Sequence, residues 1–167
     1  MCLQNRRIHA ERLKERMDLV EFEGQEFMVY KVLAHIYKNS QSTTHPPSLV
    51  SPLWEMPWIP GRHRAVKNFS YLKSRGQNMT PLYVESGIRT NGEVAYGIHV
   101  CLDSPNVDAY KFRFANHVVV KLSVRSADLI GADFIHNEAC FTHATLSQYE
   151  WEKALGRTWG ENDTETI

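Results

Sequence analysis

Two stretches of the chain have the composition of strands that are apolar on both faces. Residues His117 to Val124 (HVVVKLSV) are rich in β-branched side chains and almost continuously apolar. Residues Glu26 to Tyr37 (EFMVYKVLAHIY) carry apolar side chains in both alternating registers. A strand of this kind is stable only when other elements cover it on both sides. The chain is therefore predicted to build a compact fold around a buried sheet.

Shorter patterns in the rest of the sequence predict the other elements. The predicted helices cover 5–17, Asn106–Phe114 and Gln148–Leu155, two further strands cover Ile98–Leu102 and Ala139–Leu146, and a helical turn covers Arg125–Gly131. We expect Gly24 to break the chain before the first strand, Ser147 to cap the last helix and Gly156 to end it. Because helices and strands do not alternate regularly, we predict an α+β fold with a short-stranded central mixed sheet. The predicted parts are an N-terminal helix (1–20), a single compact domain (21–156) and an acidic tail (157–167).

Residues 38–61 form a long segment rich in proline and tryptophan. They contain five of the seven prolines, together with Trp54 and Trp58. Proline at this density prevents a helix or a central strand. Two tryptophans favour burial, so we predict an ordered loop that packs on the domain rather than a free one.

The neutral net charge hides three segregated regions. The chain has 19 basic and 19 acidic residues, which excludes a generally basic nucleic-acid coat protein. Residues 56–84 nevertheless contain five basic residues and no acidic one, whereas 18–26 and the C-terminal tail are acidic. Arg62, Arg64 and Lys67 therefore form either an anion-binding surface or a solvated basic face that the acidic segments balance.

Several classes of site and location are not expected. The chain has no GxGxxG, GxxxxGK[ST], GxSxG, HExxH or CxxC motif. Within one strand, Cys140 and His143 would point to opposite faces, so with His136 they make a poor zinc set, and we expect no metal site. Three cysteines, no secretory signal and no long apolar run predict a cytoplasmic protein with no membrane partner.

The segment from Gly87 to Glu150 resembles the C-terminal half of the ADP-ribosyltransferase-like superfamily, and within it the RNA 2′-phosphotransferase group. The resemblance covers about sixty residues and rests on four short stretches. They are Gly87-Ile88, His99-Val100-Cys101-Leu102, Lys111-Phe112-Arg113, and Gly131-Ala132-Asp133-Phe134 with Asn137. The N-terminal winged-helix lobe and the His-Gly-Thr motif of these enzymes are absent. If the strand EFMVYKVLAHIY takes the place of that motif, its polar side chains are Tyr30, Lys31 and His35.

The resemblance implies that NAD is the substrate and that a protein or a nucleic acid accepts the ADP-ribosyl group. It places Glu138 at the carboxylate position that stabilises the oxocarbenium-like transition state, and His99 beside the ribose or diphosphate. It implies nucleotide binding by Arg89, Arg113, Tyr30 and Lys31. Each of these residues also has a purely structural interpretation. Glu138 would be an exposed glutamate at a strand edge, His99 a hydrogen-bonded, half-buried histidine, and Arg113 an arginine at a helix end.

Two other functions remain open from the sequence. One is a non-catalytic interaction protein, such as a phage- or host-encoded inhibitor, that docks through the Trp54/Trp58 loop and the basic stretch 62–75. The other is a protein that binds or modifies nucleic-acid ends through the same basic, aromatic stretch.

Overall fold

The computed structural model of the chain describes residues 3–36, 48–50, 57–65, 94, 97–106 and 117–160. Its helices are α1 (Arg7–Phe22) and α2 (Gln148–Leu155). Its strands are β1 (Phe27–Ile36), β2 (Ser48–Val50), β3 (Pro57–Trp58), β4 (Gly61–Arg64), β5 (Ile98–Cys101), β6 (His117–Val124), β7 (Leu129–Asp133), β8 (Glu138–Phe141) and β9 (His143–Leu146). The predicted helix over Asn106–Phe114 falls almost wholly outside the described residues.

The described strands form one sheet in a single α+β domain, as predicted. Seven strands follow the order β4-β9-β6-β1-β5-β8-β7, and β2 and β3 extend the sheet from the C-terminal half of β1. Every described pair is antiparallel, so the parallel pairing of the predicted mixed sheet is not found among these strands. The connections explain this, because β7 and β8 are joined by only four residues. A parallel pair needs a crossover of about a dozen residues or more.

The sheet curls back on itself at Thr142. Strands β8 and β9 are separated by this residue alone, yet they lie near opposite ends of the strand order. Neighbouring Cα atoms are about 3.8 Å apart, so these two ends of the sheet must approach each other. The predicted single strand Ala139–Leu146 is therefore two strands, which pair with different neighbours. The backbone N–H of Thr142 donates to the carbonyl of Asp128 at 2.8 Å.

The hydrophobic core lies on one face of this sheet. The face carries Val29 and Leu33 of β1 with their neighbours on β5, β6 and β8. Helix α1 adds Leu13 and Met17, and α2 packs Trp151 into the same cluster. Burying a side chain of this size contributes about 1.5–3 kcal/mol, so both helices are held mainly by these contacts.

The two helices differ in how well local sequence predicts their ends. Helix α2 has the predicted bounds, with the Ser147 hydroxyl accepting from the N–H of Glu150 at 3.1 Å and Gly156 in the left-handed conformation (φ 67°). Helix α1 continues five residues beyond the predicted end at residue 17, up to the break at Gly24 (φ 75°). The extension was missed because its last turn has no buried stripe: Phe22 is 91% exposed.

The proline- and tryptophan-rich segment contains short strands rather than loop alone. Strand β2 pairs with β1, and β3 pairs with β2 through Leu49 and Trp58. The Trp58 side chain is 1% exposed, which confirms its predicted burial. The indole N–H of Trp151 donates to the Trp58 carbonyl at 3.2 Å. Trp54 lies outside the described residues.

The predicted helical turn over Arg125–Gly131 is only half correct. A 3₁₀ turn spans Ser126–Asp128, and the chain then continues as β7, so Gly131 lies within a strand and ends no helix. A Cβ at Gly131 would lie 2.8 Å from Oδ1 of Asn5, and that oxygen accepts the N–H of Ala132 at 3.1 Å. The glycine therefore serves the close approach of the N-terminal segment to β7.

Candidate functional site

His99 and Glu138 lie on one face of two neighbouring strands. In the register of β5 and β8, His99 is opposite Cys140, and Cys101 is opposite Glu138. Cross-strand partners share a face, and diagonal neighbours two residues apart stay within reach of long side chains. We call the surface of β5 and β8 that carries these four residues the His99 face. It brings together the two residues that the sequence predicted to be catalytic.

The His99 face continues onto the strands on either side. Tyr30 of β1 is opposite Cys101, and Asp133 of β7 is opposite Glu138. A single row across four strands therefore reads Tyr30, Cys101, Glu138 and Asp133. Of the two nucleotide-binding residues predicted on β1, Tyr30 shares this face, because adjacent strand residues point to opposite sides.

The imidazole of His99 is held in its neutral form. Burial, together with the nearby charge of Lys31, lowers the pKa of His99 to about 4. Its Nδ1 lies 3.3 Å from the carbonyl oxygen of Gly97 and 3.9 Å from Sγ of Cys140. The carbonyl can only accept and is the nearer of the two, so we assign the proton to Nδ1. Nε2 is then a lone-pair acceptor. It is buried and makes no hydrogen bond within the part of the chain that the structure describes.

Lys31 contacts the backbone of β5 from the core face of the sheet. It is opposite Val120 on the core face, and its Nζ donates to the main-chain carbonyl of His99 at 2.7 Å. The ammonium lies 6.0 Å from the centre of the Trp58 ring. Burial lowers the pKa of Lys31 to about 8, against the attraction of Cys140 and Cys101, which raises it. Lys31 thus touches His99 through the backbone rather than lining the His99 face.

The other groups of the face have shifted acidities. Burial raises the pKa of Glu138; the charge of His136 opposes this shift and that of Asp133 adds to it. Burial also raises the pKa of Cys140 to about 12, so this thiol stays protonated at neutral pH. A protonated thiol is a poor nucleophile.

Sequence reasoning missed a buried carboxylate at the edge of the face. The Asp133 side chain is 1% exposed and accepts from Nε of Arg6 at 3.1 Å, from the N–H of Ile135 at 3.0 Å and from Nδ1 of His136 at 2.6 Å. Burial acts to raise its pKa, but the hydrogen bonds of His136 and Ile135 and the charge of Arg6 outweigh it, so the pKa of Asp133 is lowered. The i, i+3 spacing of Asp133 and His136 was the available signal. This spacing was not recognised as a signal because no strand was predicted to end at Asp133.

The turn that carries His136 is fixed to the neighbouring strand. Asn137 has a left-handed backbone (φ 56°), and its side-chain amide bonds both the N–H and the carbonyl of Asp103, at 2.7 and 3.0 Å. The N–H of Leu102 also reaches the carbonyl of Asn137 at 3.3 Å. Asparagine tolerates this conformation better than most residues. The turn 134–137 therefore holds the histidine in a defined position.

The predicted anion-binding surface is only partly described. Arg62 pairs with Asp128 at 3.1 Å at the edge of a cleft of about 440 Å³. Arg125, Glu21 and Glu26 also line this cleft, so both signs of charge are present. Arg64 is exposed, whereas Lys67, Arg89 and Arg113 lie outside the described residues.

Two other sequence-based expectations can be compared with the structure. The burial of Trp58 removes this side chain from the docking surface that the interaction-protein hypothesis assigned to it.

Cys140 and His143 lie on different strands, so the expectation that they point to opposite faces of one strand was wrong. Among the described residues, no group of three or more His, Cys, Asp and Glu side chains is placed to hold a metal ion. No helix in the described ranges is long and apolar enough to cross a membrane.

Comparison with known proteins adds no relative. No family model matches the chain, and no curated protein and no solved structure matches it. The function is therefore inferred from the geometry of the His99 face.

Proposed function

We propose that the His99 face binds the ribose of NAD or a related nucleotide and that the protein transfers ADP-ribose to a protein or a nucleic acid. The observation that carries the proposal is the buried Nε2 of His99, an acceptor without a partner in the described chain, on the same face as the half-buried Glu138.

The buried Nε2 of His99, which has no hydrogen-bond partner among the described residues, supports binding of a hydroxyl group. A buried polar atom without a partner costs about 1–3 kcal/mol. A ribose hydroxyl that donates to Nε2 would recover this cost on binding. Tyr30, in the same row as Glu138, supplies a further polar group of the kind that orients a sugar. These groups fit the ribose end of a nucleotide.

Glu138 supports the chemistry of transfer. The bond between C1′ of the ribose and the nicotinamide nitrogen breaks, and nicotinamide leaves with the bonding electrons. Positive charge then develops at C1′, and a carboxylate close to the ribose stabilises it. The acceptor oxygen or nitrogen bonds to C1′ and loses its proton. Because burial raises the pKa of Glu138, activity should increase with pH above the ordinary range of a glutamate, as the carboxylate forms.

Nicotinamide release and ADP-ribose transfer test this function. The protein is incubated with labelled NAD, and the wild type is compared with Glu138→Gln. We expect the substitution to reduce release by about a hundredfold or more, as for the loss of a transition-state charge contact. Glu15→Gln is the matched control, since Glu15 is exposed on α1.

Thermal denaturation with and without NAD gives an independent measure of binding. His99→Phe should abolish any NAD-induced rise in Tm, because phenylalanine fills the space without an acceptor. A wild-type protein that neither releases nicotinamide nor changes its Tm with NAD would overturn the proposal.

A further inference from the structure

Next to Glu138, the structure holds a carboxylate–imidazole pair that the proposed transfer has not used. Oδ2 of Asp133 lies 2.6 Å from Nδ1 of His136. The carboxylate is 1% exposed, whereas the imidazole is 64% exposed. A buried acid and an accessible imidazole joined at this distance form the arrangement by which a general base is oriented in many enzymes.

The pair fixes which ring nitrogen of His136 can accept a proton. A carboxylate only accepts hydrogen bonds, so the neutral imidazole must donate from Nδ1. Nε2 then carries the lone pair, on an exposed side chain. Asp133 cannot turn away, because its other oxygen is bonded by Arg6 and by the N–H of Ile135. His9 approaches that same oxygen to 3.9 Å.

The strand register places this carboxylate–imidazole pair next to Glu138. Asp133 is the cross-strand partner of Glu138, and the charge of His136 acts on the Glu138 carboxyl. The turn that carries His136 is tied to Asp103 by the side chain of Asn137. His136 lies in the turn between β7 and β8, two residues before Glu138, while His99 lies on the neighbouring strand β5. The proposal below therefore places a hydroxyl acceptor beside Glu138, on the side of this turn.

We propose that His136, positioned by Asp133, is the general base that removes the proton from a hydroxyl acceptor in ADP-ribose transfer. This inference rests on the proposed function. Nε2 takes the proton of the acceptor O–H as the oxygen bonds to C1′, and the bond from C1′ to the nicotinamide nitrogen breaks. Nicotinamide leaves neutral, and the imidazolium passes its proton to water. The sum is NAD⁺ and an alcohol giving the ADP-ribosyl O-glycoside, nicotinamide and one proton.

The first test determines the tautomer of His136 and does not depend on enzymatic activity. In ¹⁵N NMR spectra of the neutral imidazole, we expect His136 to be protonated at Nδ1. Asp133→Asn should shift the population toward the Nε2-protonated form, because an amide can donate to Nδ1. A wild-type spectrum with Nε2 protonated would overturn the positioning role of Asp133, whether or not the protein cleaves NAD.

The second test separates the base from the carboxylate that stabilises C1′. With a simple alcohol as acceptor, His136→Gln should slow transfer by about 10²–10⁴-fold, the usual contribution of a general base. Azide should restore nicotinamide release in this variant, because an anion needs no deprotonation. Azide should not restore Glu138→Gln. His143→Gln, which removes a histidine 3.5 Å from a different aspartate, is the matched control.

The possible outcomes distinguish the two claims. An active wild type with an equally active His136→Gln would overturn the inference and leave the proposed function standing. A slow His136→Gln that azide does not accelerate would also overturn it, since loss of structure would explain that result. A wild type without NAD cleavage would overturn the proposed function and the role of His136 in transfer together.

Discussion

His99, on the strand next to Glu138, and His136, in the turn before Glu138, differ in burial and in hydrogen bonding. His99 is largely buried, its pKa is lowered to about 4, and its Nε2 has no partner among the described residues. His136 is exposed and bonded to a buried carboxylate. Burial without a partner keeps an imidazole neutral and leaves an acceptor for a ligand. Exposure with a carboxylate partner orients the ring and leaves the other ring nitrogen open to solvent. In the proposed site, the two histidines therefore suit different tasks.

The largest expected effect tests the close packing around His99. Gly97 has φ 147°, and a Cβ there would collide with Sγ of Cys140 and lie 3.0 Å from Cδ1 of Ile130. We expect Gly97→Ala to lower the free energy of unfolding by about 4 kcal/mol, from backbone strain and overpacking combined. Urea denaturation measures the change.

A matched glycine separates strain from collision. Gly61 has φ 130° and open space around the position of a Cβ, so Gly61→Ala should cost only about 1–2 kcal/mol. Adding Cys140→Ala to Gly97→Ala should recover part of the loss by removing the sulfur. Equal costs at the two glycines would show that the packing around His99 is loose.

The next effect tests the buried carboxylate on the His136 side. Asp133→Ala leaves the N–H of Ile135 and the side chains of Arg6 and His136 without their acceptor. We expect a loss of about 3 kcal/mol, near the lower end for a broken buried pair, because the side chains of Arg6 and His136 can both turn to water. Chemical denaturation at pH 7 measures it, and a loss below about 0.5 kcal/mol, the range of an ordinary surface substitution, would contradict the role assigned to Asp133.

A pH effect tests the burial of His99. The unfolded chain protonates His99 near the ordinary histidine pKa of 6.5, whereas in the folded protein the pKa of His99 is about 4. The unfolded state therefore binds more protons in this window, and stability falls as pH decreases through it. The expected contribution of His99 is about 2 kcal/mol lost between pH 7 and pH 5.

His99→Phe should flatten this part of the stability profile. The comparison is made by urea denaturation of wild type and variant at several pH values between 4 and 7. A wild-type profile with the same slope as the variant would show that His99 is not held neutral by burial.

The smallest effect concerns His136 itself. Because its side chain is 64% exposed, we expect His136→Gln to change the free energy of unfolding by about 0.5 kcal/mol or less. The same substitution should slow the proposed transfer by about 10²–10⁴-fold, so stability and activity separate at this residue. A large loss of stability would instead indicate that His136 mainly holds the turn 134–137 together.

Local signals in the sequence predicted several elements closely. Strand β6 and helix α2 have the predicted bounds, and β1 lies within one residue of its predicted ends. Each has a strong short-range pattern: a β-branched run, a serine cap with a glycine stop, or an apolar strand that follows a glycine. The break between β8 and β9 has no such signal, since Thr142 favours a strand like its neighbours. Only the different partners of the two halves reveal it.

The sequence by itself predicted the strands near which His99 and Glu138 lie, and a family resemblance proposed these two residues as site candidates before any contact was known. The tertiary structure decided that these two share a face, that Lys31 contacts His99 from the other side, and that Asp133 and His136 lie beside Glu138. Strand register is the physical reason. A shift of one residue would move every side chain of a strand to the opposite face, and register is set by contacts between residues far apart in the chain.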